Sequence, residues 1–226
     1  MKDLRVLTLL LGAIALDSQA APYRVGSGGG SIATDKGPAL YDFHVFNIEI
    51  DELVFQEQLA KQPINSEDLL VFQSRLGPMI PSELLLQKIS QISATYPNIA
   101  KYLLSGFKER LHWSFSSLKG SVTQEYLELE FGDAADISLV AVNSAGLVTI
   151  DPDAFQQLSS SHQVGLLIHE AFHWEDEMPD LATKKGTRYI VFRTACLFDE
   201  TVFHEDFGKC EFIMPIEEAA LSRSGS

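Results

Sequence analysis

Five consecutive residues carry the densest chemistry in this chain, His169-Glu170-Ala171-Phe172-His173, preceded by the apolar run Val164-Gly165-Leu166-Leu167-Ile168. At about 3.6 residues per turn, histidines four apart stand one above the other on a helix, so their imidazoles can hold two corners of one tetrahedral metal site. Glu170 follows His169 by about 100° of rotation, which sets a carboxylate beside the open side of such a metal without making it a ligand. Those are the roles of two zinc ligands and a general base acting on a metal-activated water.

The two histidines converge only if this stretch is helical, and its flanks predict that it is. Ser160 is placed to cap the helix with Gln163 as its capping-box partner, and Pro179 stands where about four turns should end. Val164, Leu167, Ile168, Ala171 and Phe172 form the expected buried stripe. Gly165, one turn before His169, is expected to leave space on the metal-facing side.

Upstream, Asp51 to Lys61, Ser66 to Leu76, Pro81 to Thr95 and Asn98 to about Leu111 carry helical periodicity, while Ala39 to Ile50 alternates and suggests an extended segment. His44 and His112 in this part are expected to be ordinary structural or surface residues. The period then changes. Val122 to Phe131 sets Leu127, Leu129 and Phe131 on one face and Glu128 and Glu130 on the other, which is strand spacing. Ile137 to Val142 and Leu147 to Ile150 read as two more strands joined by the turn Asn143-Ser144-Ala145-Gly146, and Asp151 to Leu158 leads into the histidine helix. The fold class is therefore α+β: a helical N-terminal section, a small antiparallel sheet, the histidine helix and a second helix downstream, Thr187 to about Asp206.

A small sheet delivering the chain to His-Glu-x-x-His resembles the catalytic half of the zincin metallopeptidases, over roughly Val122 to Phe207. The resemblance implies a zinc cofactor held by His169 and His173, catalysis by Glu170, and an edge strand above the helix that pairs with an extended substrate backbone. Asp176 and Pro179 stand where the metzincin pattern requires glycine and a third ligand. Gly186-Thr187-Arg188-Tyr189-Ile190 opens like the aspzincin element but lacks its aspartate. The gluzincin pattern assigns the third ligand to a glutamate on the second helix, which is Glu200 here, although His204 replaces the usual companion aspartate. Asp180, Asp199 and His204 are the other candidates. Asp176 and Glu177 are candidate acceptors for the histidine rings, and Tyr189, Arg188, Arg193 and His204 are candidates for stabilising an oxyanion.

Residues 1–20 read as a signal peptide: a short basic start, an apolar run from Val6 to Leu16 too short to span a bilayer comfortably, and Ser18-Gln19-Ala20 ahead of Ala21. Residues 21–38, containing Gly28-Gly29-Gly30, read as a flexible Gly/Ser-rich lead-in, 39–120 as the helical section, and 121–226 as the metal-binding section. An exported chain, periplasmic or secreted, permits a disulfide between its two cysteines, Cys196 and Cys210. The formal net charge is −14. Cleavage would remove Lys2 and Arg5 together with Asp3 and Asp17 and leave that charge unchanged. Such a surface excludes nucleic acid and basic membrane-surface binding. The expected function is an exported zinc-dependent metallopeptidase acting on a peptide or protein substrate, with no membrane span after cleavage. The alternatives are a non-catalytic protein that uses the same scaffold for binding, with a structural or vestigial metal site, and a metal-free structural or interaction protein.

Overall fold

The computed structural model describes residues 29–119, 137–144, 146–173 and 184–210, and the side chains of 184–188 fall outside the description. Within these bounds the chain is α+β, with eight helices and small sheets. Strands β1 (Gly30–Thr34) and β2 (Gly37–Leu40) form a hairpin that runs straight into a short helix, α1 (Tyr41–Val45). Helices α2 (Glu52–Leu59), α3 (Ser66–Leu76), α4 (Ser82–Thr95) and α5 (Pro97–Ser105) follow, the last continued by one π-helical turn over Gly106–Arg110. Next come strands β3 (His112–Phe115), β4 (Ile137–Leu139), β5 (Ala141–Ser144) and β6 (Leu147–Ile150). Helices α6 (Pro152–Gln157), α7 (Ser160–Phe172) and α8 (Lys184–Cys196) and the two-residue strands β7 (Phe203–His204) and β8 (Gly208–Lys209) complete it.

The helical section lies where the periodicity predicts, with caps that explain its boundaries. Asp51 accepts from the amides of Leu53 and Val54 at the start of α2, Asn65 accepts from Glu67 at the start of α3, and Pro97 opens α5 where its missing N–H costs nothing. Two expectations are corrected. The presumed lead-in ends earlier than residue 38, because Gly30–Leu40 is a paired hairpin. The stretch from Ala39 to Ile50 is not extended, since α1 begins at Tyr41 and buries Asp42 and Phe43. The expected strand Val122 to Phe131 lies outside the described residues.

Two three-stranded sheets share the Ile137–Ser144 segment. One has the order β2-β1-β4 and is antiparallel; the other has the order β3-β6-β5 and is mixed, with β3 parallel and β5 antiparallel to β6. Between the two, the amides of Val140 and Ala141 both donate to the Gly29 carbonyl, at 2.7 and 2.9 Å. Two residues facing one make a β-bulge, and here it turns a single expected strand, Ile137 to Val142, into β4 and β5, each serving its own sheet. The expected turn is shorter than read, because Asn143 and Ser144 belong to β5 opposite Val148 and Leu147; Asn143 Oδ1 accepts from the Gly146 amide, and Gly146 takes φ +88°.

Helix α7 is enclosed on all sides. It packs against α2, α4, α5 and α8 and against β2 and β5, and every residue from Val164 to Phe172 is buried. Its start departs from the expected capping box. Ser159 takes the cap position without a side-chain bond, Gln163 turns back to the carbonyls of Phe155 and Leu158, and Glu52 of α2 accepts from the Ser161 amide at 3.2 Å. A carboxylate from a neighbouring helix thus does the work assigned to Gln163. The helix closes at Phe172, with His173 as its C-cap at φ −66° and ψ −7°. Pro179 lies outside the described residues. Side chains of the helical section and of the later part share one hydrophobic cluster, from Phe72 and Ile89 to Leu167 and Phe192.

Gly165 has a different role from the one expected. A Cβ there would stand 2.6 Å from Phe43 Cζ and 3.0 Å from Leu40 Cδ2, so the missing side chain admits α1 and the end of β2, not a metal. The packed Phe43 ring, 4.7 Å from that of Phe198, has little freedom to retreat. Gly165→Val should therefore destabilise the protein by about 2–3 kcal/mol, the cost of overpacking a filled core. Urea unfolding of the two proteins measures it, and a difference under about 0.5 kcal/mol would mean that α1 is only loosely seated.

Candidate metal centre

Helix α7 brings His169 and His173 together as the spacing requires. Their Nε2 atoms are 2.8 Å apart, with ring centroids separated by 4.7 Å. His173, although it is the cap residue, keeps a helical conformation, so it stays one turn above His169. Two nitrogens on one tetrahedral zinc, at bonds of about 2.0–2.1 Å, lie roughly 3.3 Å apart, so the pair would open by about half an ångström to hold the ion between them. Without a metal, the same atoms share one proton in a direct hydrogen bond.

The other nitrogen of His169 is fixed from a distant part of the chain. Nδ1 lies 2.6 Å from Asp42 Oδ2 on α1, and both side chains are fully buried. When the carboxylate accepts the Nδ1 proton, the Nε2 lone pair is left facing His173, which is the tautomer a metal needs. Three contacts aim α1 at this point. Leu40 donates its amide to His162 Nδ1 at 3.3 Å, the Phe43 ring packs edge-on against His162, and Gly165 lets both side chains close in. Thr194 of α8 stands beside the same carboxylate.

Glu170 is also buried, and among the described residues neither of its carboxyl oxygens has a hydrogen-bond partner. Its backbone is held firmly: Asn143 Nδ2 of β5 donates to its carbonyl at 2.9 Å, and Tyr102 of α5 reaches the next carbonyl, Ala171, at 3.4 Å. These two side chains satisfy the last turn of α7, where carbonyls lose their helical donors. Arg193 of α8 lays its guanidinium 4.3 Å from the centroid of Phe172 and covers the end of the helix.

Burial dominates the electrostatics. It pushes the Asp42 carboxyl well above the usual range, its own backbone amide and the Thr194 hydroxyl working the other way. It pushes Glu170 up to about 8, with the Asp42 charge adding to the effect. His169 is lowered to about 3 by burial, and His173 is lowered by burial and by its neighbour. Burial thus works against charge on all four side chains. A divalent cation there would favour the ionised carboxyls and the free imidazole lone pairs. The converging Nε2 atoms would supply two ligands and the Asp42–His169 bond their orientation, while no third ligand joins them among the described residues.

The remaining expected residues are placed elsewhere. Helix α8 ends at Cys196, about ten residues short of the expected Asp206, because a turn begins there and Cys196 is joined to Cys210. Glu200 is exposed in that turn, where its charge acts on the buried Lys88 of α4. Asp199 accepts from the amide and hydroxyl of Thr201. His204 stacks on Phe207 and accepts from the Asp206 amide. Tyr189 packs against Phe192 and Phe207. Among the described residues no group of three His, Cys, Asp or Glu side chains is arranged to hold a metal ion. Asp176, Glu177 and Asp180 lie outside them, as does the Arg188 side chain. Asp42 is the site residue that sequence reading misses, and its one local signal is a carboxylate set between Tyr41 and Phe43 after Leu40. His44 and His112 are exposed, as expected.

The Glu170 carboxyl gives a pH signature. Its folded value stands above the ordinary 4.5, so the stability it contributes is present below about 4.5 and is lost as pH rises towards about 8. Glutamine is neutral throughout and escapes that loss. In the metal-free protein, the melting temperature of Glu170→Gln should gain on wild type between pH 4.5 and 8, and a gap independent of pH would show Glu170 ionised in the fold. Comparison of the chain with protein-family models, with curated proteins and with solved structures returned no match, so its functional reading stands on this geometry.

Proposed function

We propose that this protein is an exported zinc-dependent metallopeptidase that hydrolyses peptide bonds. The observation that carries the reading is the convergence of the His169 and His173 Nε2 atoms at 2.8 Å, on a helix whose intervening Glu170 carboxyl is buried and unpartnered among the described residues. His169 and His173 would hold the ion, and Asp42 would orient His169 from behind. Zinc bound there supplies Lewis acidity and a water that ionises near neutral pH.

The chain's own part in the reaction falls to Glu170. Next to a cation its carboxyl would ionise, and its oxygens, unpartnered among the described residues but covered by the Gly29 backbone, would take a proton from the attacking water once that backbone stands clear and return it to the leaving amine. Arg193 packs its guanidinium over Phe172 at the end of the same helix. The acidic surface fits a protein that works outside the cytoplasm on neutral or basic peptides, and no helix among the described residues is long and apolar enough to cross a membrane.

A second reading, a non-catalytic exported protein built on the same scaffold, draws on the His169–His173 hydrogen bond, which pairs the two Nε2 atoms without a metal. Elemental analysis after equilibration with zinc and dialysis separates the two. Wild type should retain about one zinc per chain, and His169→Ala and His173→Ala should retain none. Asp42→Asn should weaken zinc roughly 10- to 100-fold. Glu200→Ala should leave zinc content unchanged. Glu170→Gln should keep the metal and lose at least about 100-fold in hydrolysis of a mixed peptide library. A folded wild type that takes up no zinc would remove the hydrolase reading in favour of the second.

A further inference from the structure

Helix α1 has five residues, Tyr41–Val45, and its cap position, Leu40, makes no side-chain bond. So short a helix does not hold its own direction, and its neighbours must hold it. Asp42 would gain from leaving: its Oδ1 is buried without a hydrogen-bond partner among the described residues, and water would satisfy it. The restraint comes through the next residue. The Phe43 ring has its tip at Gly165 of α7 and packs against the ring of Phe198, with 4.7 Å between centroids.

Phe198 is itself held from several directions. Its ring stacks with that of Phe55 of α2 at 6.1 Å, and the Lys88 ammonium of α4, which donates to Gln91 at 2.8 Å, stands 4.3 Å over it. Its amide donates to the Ala195 carbonyl at 2.9 Å, in the turn that follows α8. Two residues earlier, Cys196 is joined to Cys210. The sulfur of Cys210 lies 3.4 Å from the Val202 carbonyl and 3.6 Å from that of Asp199, so the disulfide is packed into the backbone of the same turn. The rest of the loop is a hairpin of two residue pairs, β7 with β8, too small to brace the turn alone.

We propose that Phe198 is a positioning residue of the metal centre, acting through Phe43 on Asp42 and so on His169, and that the Cys196–Cys210 disulfide completes the centre by bracing the turn that carries it. The bond forms when the two thiols give up two protons and two electrons to a disulfide oxidant, which leaves as two thiols. In a reducing compartment the cysteines stay open, and after export they close. The two residues are 1 % and 3 % exposed, so the closed bond is shielded from thiols and the centre is set once. His169 thus takes its direction after oxidation, and zinc would be held tightly outside the reducing compartment and weakly inside it. The zinc part rests on the metallopeptidase reading above; the coupling of Phe198 and the disulfide to the Asp42–His169 contact does not.

The test follows the His169 Nδ1 proton by NMR in the metal-free full chain, labelled with nitrogen-15 at histidine, the signal being assigned by its loss in His169→Ala. Held at 2.6 Å between a buried ring and a buried carboxyl, it should exchange slowly in oxidised wild type. Phe198→Ala and the double variant Cys196→Ser with Cys210→Ser should each exchange it at least about tenfold faster, as for a local opening. Phe198→Leu, which keeps an apolar contact with Phe43, should lie between. Phe107→Leu, in the core beside Phe72 and Trp113, controls for general loosening and should keep the wild-type rate. No slow proton in oxidised wild type, an unchanged rate in Phe198→Ala or in the double variant, or equal acceleration in Phe107→Leu would each overturn the proposal. A double variant that does not fold overturns the disulfide's part, because the bond then serves the whole fold. If Phe198→Ala does not fold, Phe198→Leu decides by the same criteria. Zinc titration against a chromophoric chelator should show binding weakened roughly tenfold in Phe198→Ala. A wild type that binds no zinc would end the peptidase reading and leave the proton result standing, so the two failures are told apart.

Discussion

The bond between His169 Nδ1 and Asp42 Oδ2 joins residues 127 apart in sequence, and the arrangement of the site depends on it. A buried carboxylate is tolerated only with partners, and a buried imidazole points one way only if its far nitrogen is engaged. Asp42 engages His169 through Oδ2, while its Oδ1 has no hydrogen-bond partner among the described residues, and their meeting fixes how α1 lies on α7. Leu40, Phe43, His162 and Gly165 are the packing around that contact: an amide to a ring nitrogen, an edge-on aromatic pair, and a glycine that lets α1 approach. Moving α1 by one residue would send Asp42 into apolar surroundings, where an unpaired carboxyl is costly.

Concentrating Asp42, His169, Glu170 and His173 in one dry space has a clear electrostatic direction. Burial raises both acids and lowers both imidazoles, so without a cation it opposes charge on every member of the group. A protein selected for stability alone would fill this volume with leucine, since burying ionisable groups opposes folding. Keeping four of them on facing surfaces of α1 and α7 makes sense if something positively charged belongs there. That argument supports the metal reading independently of the spacing of the two histidines.

The local parts of this picture were legible in the sequence. Hydrophobic periodicity located α3 at Ser66–Leu76 without error, and His-x-x-x-His spacing placed two rings on one helical face, because both are properties of a single helix. What was not legible is what depends on chain reversal. Asp42 could not be matched to His169 because no local rule links residues on different elements. The capping role of Glu52 was assigned to Gln163 for the same reason. Gly165 read as space for a metal, when it is space for a phenylalanine ring. Glu200 was counted onto a helix that stops at Cys196, where Asp199 captures the Thr201 amide and the chain turns towards Cys210. The Gly-rich stretch was read as a lead-in on composition, yet a glycine's freedom also serves close packing, and only the partner strand reveals which use is made of it.

Gly165 and Gly29 show that second use on opposite sides of the same helix. One admits α1, and with it the carboxylate behind His169; the other admits a backbone over Glu170. They differ in what a side chain would meet. At Gly165 the obstacle is the packed ring of Phe43, part of the permanent core. At Gly29 it is the Ala141 carbonyl oxygen and the very carboxyl that the chemistry would use. A core contact has reason to be permanent, whereas a main chain laid across a candidate catalytic group prevents that group from reaching anything else. Helix α1 is the part of the fold that must stay for His169 to keep its direction.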